Sequence, residues 1–474
     1  MNKHILDLYK ISPLFVQELG INAVGWCWEL RRFGPAYRRF CDEYAEREHW
    51  DKDRMLEYVQ DQLRATVALA FREVPYYREA FLSCGLDEES ISNLSLSDLS
   101  KLPLLDKSTA RSDPKRLLTK QAAAHPPAVF ATSGSTGSPM NVYMDAETQQ
   151  HTMAVRESRL LKCAGVSYSQ SRSMMGGRPL VAKSATRPPY WRYNYWSKVM
   201  YFSSYHIRED TVADYVKALN DFKPVFMMGF PSNNYFLARL IQEKNLEVHS
   251  PRAVITTSER LEPHMRDTLE AVFRCPVFEE YGSVENCMLA TGCECGRLHV
   301  QPDFGWVEII RPDGSPTVPG EVGEIVSTGF ANKNQLFVRY KTGDLAAWSE
   351  EPCSCGRNGL PVLKELVGRV WDTVIGLDGR EMTHLHGVFV ALPGILEGQI
   401  VQTALDKFTV NVVPSASYTE LVDKTLKRRI QERLGRGISV DVCKVAEIPR
   451  GPNGKFKAIV TQVQLDTLKS KYAS

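Results

Sequence analysis

Five short stretches carry residues suited to handling a phosphorylated nucleotide or a metal. The segment ATSGSTGSP (residues 131–139) sets Gly134 and Gly137 among the hydroxyls of Ser133, Ser135 and Thr136, directly after the apolar run at residues 128–130. Glycine's backbone freedom and the competition of serine and threonine for backbone hydrogen bonds exclude a helix, so the segment reads as a turn leaving a strand. Inward-facing N–H groups and hydroxyls there can cradle a phosphate chain; a plain surface loop is the alternative on this segment alone. It has neither the Gly-Lys-Ser/Thr ending of kinase and GTPase phosphate loops nor a dinucleotide-binding glycine pattern.

In EEYGSVE (279–285), an aromatic (Tyr281), a turn (Gly282, Ser283) and a carboxylate (Glu285) follow an apolar run. The aromatic can stack on a purine, and the carboxylate can hold Mg2+ against phosphate oxygens. RYKTGD (339–344) offers Asp344 after what reads as a glycine turn, where a carboxylate can accept both hydroxyls of a ribose. PNGKFK (452–457) presents Lys455 and Lys457 to a phosphate or carboxylate.

The cysteines give a separate signal. CECGRLH (293–299) and CSCGR (353–357) are closely spaced, metal-competent clusters on glycine-ended turns, set on either side of hairpins that can bring them together. Free surface cysteines are the alternative, but repeated Cys-x-Cys-Gly pairs are a reactive liability. The absence of a compact ferredoxin-type cysteine run and the presence of a histidine favour Zn2+ over an iron–sulfur cluster.

Chain-wide features frame these sites. The 474 residues are enough for two domains, and 58 basic against 56 acidic side chains argue against a nucleic-acid partner. The N-terminus lacks a secretory pattern, and no apolar run is long enough for a membrane span. Cys27, Cys163 and Cys275 stand singly in apolar contexts, as buried thiols of a reducing compartment do. A cytoplasmic protein without a membrane partner is expected, and a homodimer is compatible with these features.

The first hundred residues read as mainly helical, with Pro75 interrupting or restarting a helix after residues 53–71. Beyond the glycine loop, β-branched segments at 225–230 and 253–261 alternate with helical ones, the pattern of parallel strands with crossover helices. After Trp306 the pattern becomes strand, turn and strand, with Asp313-Gly314 marking a hairpin. The last hundred residues, with a basic helix, suffice for a small separate domain.

In this order, TSGSTGSP, YGSVE, YKTGD, Gly368-Arg369 and GKFK resemble the motifs of the adenylate-forming enzymes, the superfamily of acyl-CoA synthetases, firefly luciferase and peptide-synthetase adenylation domains. FREVPYYREAF and LSDLSKLPLLDK resemble the N-terminal segments of its phenylacetate-CoA ligase branch, which includes relatives found beside capsular polysaccharide genes. The resemblance thus spans nearly the whole chain. It implies an α/β fold: a large multi-subdomain N-terminal body of mixed and parallel sheets with a zinc-binding insert (residues 1–368), and a small, mobile α+β C-terminal domain (369–474).

The resemblance also implies roles. Ser133, Gly134, Ser135, Thr136 and Gly137 match the loop that holds the ATP phosphates, and Glu285 the Mg2+-binding glutamate. Tyr281, followed by Gly282 and Ser283, aligns with the aromatic beside adenine. Asp344 and Arg369 match the ribose-binding pair. Lys455 matches the lysine of the mobile domain that bridges carboxylate and phosphate, with Lys457 as second choice. Relatives of the branch point to Cys293, His299, Cys353 and Cys355 as a structural Zn2+ set, with Cys295 as competitor and Cys287 more distant.

The implied activity is AMP-forming ligation of a small carboxylic acid to CoA, with a carrier-protein thiol or an amine as alternative acceptor and a non-catalytic binding protein as the rival class. Two departures from the family pattern stand out. Ser138 occupies the position where many relatives have a lysine, and Trp371-Asp372 stands where the hinge usually presents aspartate or lysine. His206, Tyr205, Phe230 and Pro231 are the candidates for the acyl pocket, although aromatic tracts of this density more often form core.

Overall fold

The computed structural model describes residues 8–132, 139–177, 180–369, 374–377, 381–382, 385–389, 392–451 and 455–463. The N-terminal part is helical, through Leu14–Arg32, Pro35–Arg47, Lys52–Glu73 and Pro75–Ser83. The break at Pro75 is a restart: the long helix ends at the extended residue Val74, and Pro75 takes the first position of the next helix, where its missing N–H leaves nothing unpaired. Met55, Val59, Leu63, Val67 and Ala70 form the buried stripe of the long helix at helical spacing. They share one core with Phe330, Phe337 and Tyr340 from the far end of the body.

Strands are numbered along the chain. β1 (Ala128–Ala131) pairs antiparallel with β2 (Asn141–Met144), so the glycine loop joins two strands. The main sheet draws on β3 (Arg172–Gly176), β4 (Trp191–Asn194), β5 (Val199–Ser203), β6 (Phe226–Gly229), β7 (Ala253–Thr257), β8 (Val277–Gly282) and β9 (Leu289–Gly292). It is completed by β10 (Leu298–Val300), β11 (Gly305–Ile310), β12 (Val322–Gly329), β13 (Tyr340–Trp348) and β14 (Val362–Arg369). Among the described residues these run in the order β11-β12-β13-β14-β10-β9-β8-β7-β6-β3-β5-β4.

β5, β3, β6, β7 and β8 are mutually parallel. Their crossover helices, Val212–Phe222, Pro231–Glu243 and Pro263–Phe273, pack into one apolar cluster with Met175, Met227 and Val254. β6 is buried at every residue, which explains an apolar run without alternation. From β8 onward the partners are antiparallel. Asp313-Gly314 does sit in a turn, but the β11–β12 connection is longer than a two-residue hairpin. It spans residues 311–321, contains Pro316 and Pro319, which cannot donate to a ladder, and is closed by the Arg311–Glu321 ion pair at 2.5 Å.

The C-terminal part is α+β. β15 (Val374–Ile375) pairs with β16 (Glu381–Met382). β17 (Ile395–Ala404), β18 (Lys407–Pro414), β19 (Ser439–Lys444) and β20 (Ile459–Thr461) form a sheet in the order β19-β18-β17-β20. The basic helix Glu420–Leu434 packs on it through Val422, Leu426, Ile430 and Leu434, one residue per turn. Among the described residues no helix is long and apolar enough to cross a membrane.

One buried charge cluster ties the N-terminal helices to the sheet. Asp303, between β10 and β11, accepts Arg47 Nε at 3.0 Å and Arg159 Nη2 at 2.9 Å, and all three side chains are nearly excluded from water. Asp303→Ala takes the shared counter-ion from the buried Arg159 and leaves Arg47 with only the longer contact to Glu43 at 3.7 Å, and is expected to cost about 3–5 kcal/mol of stability, read as a lower urea midpoint of unfolding.

Candidate active site and metal centre

In an open parallel sheet, the crevice beyond the carboxyl ends of the strands is where ligands bind, because the strand-to-helix turns there can be varied freely. Phe230 and Pro231 follow β6, Ser258 and Glu259 follow β7, and the turn at residues 283–286 follows β8. That last turn is also where the sheet changes from parallel to antiparallel. Asn286, with φ +53°, reverses the chain, and its N–H donates to the Ser283 carbonyl at 3.2 Å.

Glu285 is carried by this turn and is buried. Its Oε1 accepts the Tyr340 hydroxyl at 3.0 Å. Burial and the neighbouring Glu285 charge push the Tyr340 phenol well above its ordinary range, so the hydroxyl stays a donor. Cys287, two residues on, lies in the core with its thiol pushed up to about 12, first by burial and then by Glu285. It is no part of the cysteine cluster.

Tyr281, near the end of β8, donates its hydroxyl to Asp344 Oδ2 at 2.7 Å, bringing together two residues singled out in the sequence. Burial, then the Asp344 charge, raises this phenol strongly too. Asp344 is not on a turn. It lies within β13, where Gly343 has φ +78°. Glu324 pairs with Leu345 and Val326 with Lys341, so Ile325 of β12 faces three residues of β13. Glycine at this position permits the bulge, which re-aims Asp344. The β13–β14 register sets Asp344 opposite Arg369. The Arg369 side chain lies outside the described residues, as do Ser133, Gly134, Ser135, Thr136, Gly137, Ser138, Trp371 and Asp372. The base of the glycine loop is described: Thr132 exchanges hydrogen bonds with Met140, backbone N–H to carbonyl at 2.9 Å and Met140 N–H to the Thr132 hydroxyl at 2.8 Å.

Lys455 reaches from the C-terminal part to the end of β7, where Nζ donates to the Ser258 carbonyl at 2.7 Å and lies 5.8 Å from the Phe230 ring centre. Ser258 has φ +73°, a conformation that costs a non-glycine residue energy and turns its carbonyl outward. Lys457 instead leaves its backbone carbonyl on Gln399 Nε2, at 2.9 Å, inside the C-terminal sheet.

Glu259 was not singled out in the sequence. Its Oε2 accepts the Ser232 hydroxyl at 2.6 Å and its Oε1 the Phe456 N–H at 3.1 Å, so one carboxylate joins the first turn of a crossover helix to the chain beside Lys455. Burial raises its pKa, opposed by those hydrogen bonds and by the Lys455 charge. A charged residue two positions beyond a mostly buried strand was the available signal. Of the acyl-pocket candidates, His206 is fully buried, bonded through Nδ1 to the Ser203 hydroxyl at 2.7 Å and stacked on Tyr190. Tyr205 is half-buried with Lys183 Nζ 4.4 Å from its ring centre. Much of the surrounding aromatic tract is core.

Cys293, His299, Cys353 and Cys355 come together, their ligand atoms all within 4.8 Å of one another. Cys293 follows β9, His299 lies on β10, and the later pair sits between β13 and β14. The sulfurs of Cys293 and Cys353 are 3.7 Å apart, and Cys355 Sγ is 3.4 Å from His299 Nε2. A tetrahedral zinc with ordinary bond lengths requires edges of about 3.8 Å and about 3.5 Å for these pairs. His299 Nδ1 lies 2.9 Å from the Leu360 carbonyl, which fixes the tautomer that leaves Nε2 a lone pair for a metal. Burial is opposed at Cys355 by the Arg357 N–H and guanidinium, which hold that thiol below its usual value. Cys295 is exposed, next to the Ser354 hydroxyl at 3.4 Å, and outside the group.

The AMP-binding enzyme family matches residues 51–333, and the CapK C-terminal domain matches residues 380–462. Protein CapK of Staphylococcus aureus is 24% identical over 470 residues, covering 96% of this chain and 99% of that protein. A phenylacetate-coenzyme A ligase of Thermus thermophilus is 22% identical over 459 residues, covering 88% and 98%. 2-Hydroxyisobutyryl-CoA ligase in its postadenylation state, complexed with 2-HIB-AMP, superposes with a TM-score of 0.67 at 20% identity, covering 90% of this chain and 93% of that one. The same ligase in its thioesterification state gives 0.54 at 20% identity, covering 90% and 94%. With the first family match alone spanning more than half of the chain, the protein belongs to the AMP-binding enzymes, in the phenylacetate-CoA ligase-like branch of the adenylate-forming superfamily.

Proposed function

We propose that this protein activates a carboxylic acid with ATP, releasing pyrophosphate, and passes the acyl group of the resulting acyl-adenylate to the thiol of CoA. The observation that carries this reading is the meeting of Lys455 with the carboxyl ends of β6 and β7, beside the strand whose end presents Tyr281 and Glu285. The phenylacetate-CoA ligase relatives support the substrate classes.

In the first step a carboxylate oxygen attacks the α-phosphorus and the bond to pyrophosphate breaks. Two anions approach each other, so charge grows where cations are needed. Lys455 supplies one such cation. Glu285, with Oε1 occupied by Tyr340, offers its other oxygen to Mg2+, which neutralises phosphate charge when bound. The loop at 133–137 holds the phosphates by its N–H groups and hydroxyls. Asp344 and Arg369 take the ribose hydroxyls, and the Tyr281 ring, with Gly282 and Ser283 after it, forms the adenine side.

In the second step the thiol must reach the acyl carbon, and Lys455 must withdraw. A body at 1–368 and a C-terminal domain at 369–474, rotating about residues 368–372, meet that need. The better superposition on the postadenylation state than on the thioesterification state supports reading the present arrangement as one that precedes acyl transfer. Tyr205, His206, Phe230 and Pro231 stand on the acyl side.

Cys293, His299, Cys353 and Cys355 would hold one Zn2+ with four protein ligands, making it a structural site that links the segment after Glu285 to the segment after Asp344. Protein purified without chelator is expected to contain about one zinc per chain by elemental analysis; no zinc, or a coordination shell without these sulfurs, refutes the site.

Acid-dependent exchange of labelled pyrophosphate into ATP, across a panel of carboxylic acids, tests the activity itself. Glu285→Gln should fold normally and lose on the order of 100-fold in exchange, whereas unchanged exchange removes Glu285 from the Mg2+ role. Lys455→Ala should lose exchange to a similar degree yet still transfer the acyl group from preformed acyl-adenylate to CoA, since its charge serves only the first transition state. A variant defective in both steps argues against domain alternation, and a wild-type protein that forms the adenylate without consuming CoA removes CoA as acceptor.

A further inference from the structure

The helix Pro231–Glu243 begins without a capping side chain, because Phe230, which precedes it, has no polar atom to accept the first N–H groups. Glu259 takes that place from beyond the end of β7. Its Oε2 accepts the Ser232 hydroxyl at 2.6 Å and the Ser232 N–H at 3.3 Å, so one oxygen is held by the body. Its Oε1 is left to accept the Phe456 N–H at 3.1 Å. A helix cap needs only the first oxygen, and the second marks a further role.

Two kinds of contact bring the C-terminal part to this place. Leu396, Val413 and Ile448 are buried in one apolar cluster with Leu237, Leu240 and Ile241 of the helix. Such burial is strong but non-directional, so it does not by itself fix where the two parts meet. The hydrogen bonds are directional: Ser258 and Glu259 receive Lys455 Nζ and the Phe456 N–H, two successive residues against two successive residues. Behind them the Gly451 N–H donates to the Lys455 carbonyl at 3.0 Å, and the Arg450 guanidinium, paired with Glu397, lies 4.9 Å from the Phe456 ring centre. A lysine carries its charge on a flexible stem, so the place of Nζ depends on how firmly the adjoining main chain is held. Misplacing a catalytic group by about 1 Å can cost on the order of 100-fold in rate.

We propose, on the activity inferred above, that Glu259 is a positioning residue of the adenylation step: its carboxylate, anchored by Ser232, fixes the main chain at Phe456 and so sets Lys455 at the carboxyl ends of β6 and β7. When the C-terminal part withdraws for acyl transfer, Glu259 keeps Ser232 and gives up Phe456, so the second step makes no use of it. Glu259→Gln preserves the shape but exchanges one acceptor oxygen for an amide donor, leaving either Ser232 or Phe456 without its acceptor. Acid-dependent pyrophosphate exchange is expected to fall about 10-fold to 100-fold in this variant, with transfer from preformed acyl-adenylate to CoA as in the wild type. Hydrogen–deuterium exchange of the peptide containing Phe456 reads the contact without turnover, and it is expected to be protected in the wild type and faster in Glu259→Gln. Ser232→Ala, which leaves the carboxylate in place but removes its hydroxyl anchor, should move both readings the same way by a smaller factor, and it decides alone if Glu259→Gln does not fold. Unchanged pyrophosphate exchange in both variants, an equal loss in both half-reactions, or a Phe456 peptide as fast in the wild type as in Glu259→Gln overturns the proposal; the equal loss would leave Glu259 as a helix cap. A wild-type chain inert with every acid, whose Phe456 peptide is nevertheless protected and is released by Glu259→Gln, upholds the docking contact and refutes only the proposed activity.

Discussion

Glu285 is buried at the turn where β8 gives way to β9, and burying a carboxylate costs free energy unless hydrogen-bond donors or a cation meet it. Tyr340 meets part of that need, and Tyr340 is itself embedded in the core built around the long N-terminal helix. The packing of that helix is therefore coupled to the orientation of the carboxylate. The same turn ends the parallel half of the sheet, so the crevice beyond the strands and the charge that serves it have one origin in the topology.

On the antiparallel side, position is fixed by register. β13 presents Asp344 to Tyr281 on one side and lies against Arg369 of β14 on the other, while the connection between these two strands carries Cys353 and Cys355. Drawing those cysteines onto Cys293 and His299 fastens the β13–β14 connection to β9 and β10. The metal-competent cluster thus restrains the frame in which Asp344 sits without touching it.

What the sequence disclosed follows from the range of the interactions concerned. Pro75, the parallel strands, the α+β character of the last hundred residues and the cysteine grouping depend on local conformation or on motifs of distinctive composition, and these were legible. Tyr281 and Asp344 were each identifiable, but their hydrogen bond joins residues 63 apart and emerges only once the sheet is assembled. Glu259 looked like the tail of a strand, because its partners Ser232 and Phe456 come from a helix and from the other end of the chain. Asp344 read as a turn residue because a positive φ at glycine serves a bulge as readily as a turn.

The bulge in β13 has one more consequence. Because Ile325 alone faces three residues there, the inward and outward sides of Leu345, Ala346, Ala347 and Trp348 are set by how many residues the bulge contains. Side-chain direction alternates with a period of two, so losing a single residue would exchange the two faces of the rest of the strand and turn Ala346 and Trp348 away from the apolar cluster they share with Ile325 and Leu363. Across this segment the chain can accept changes of residue type far more readily than changes of length, and among relatives insertions and deletions should cluster outside residues 340–348.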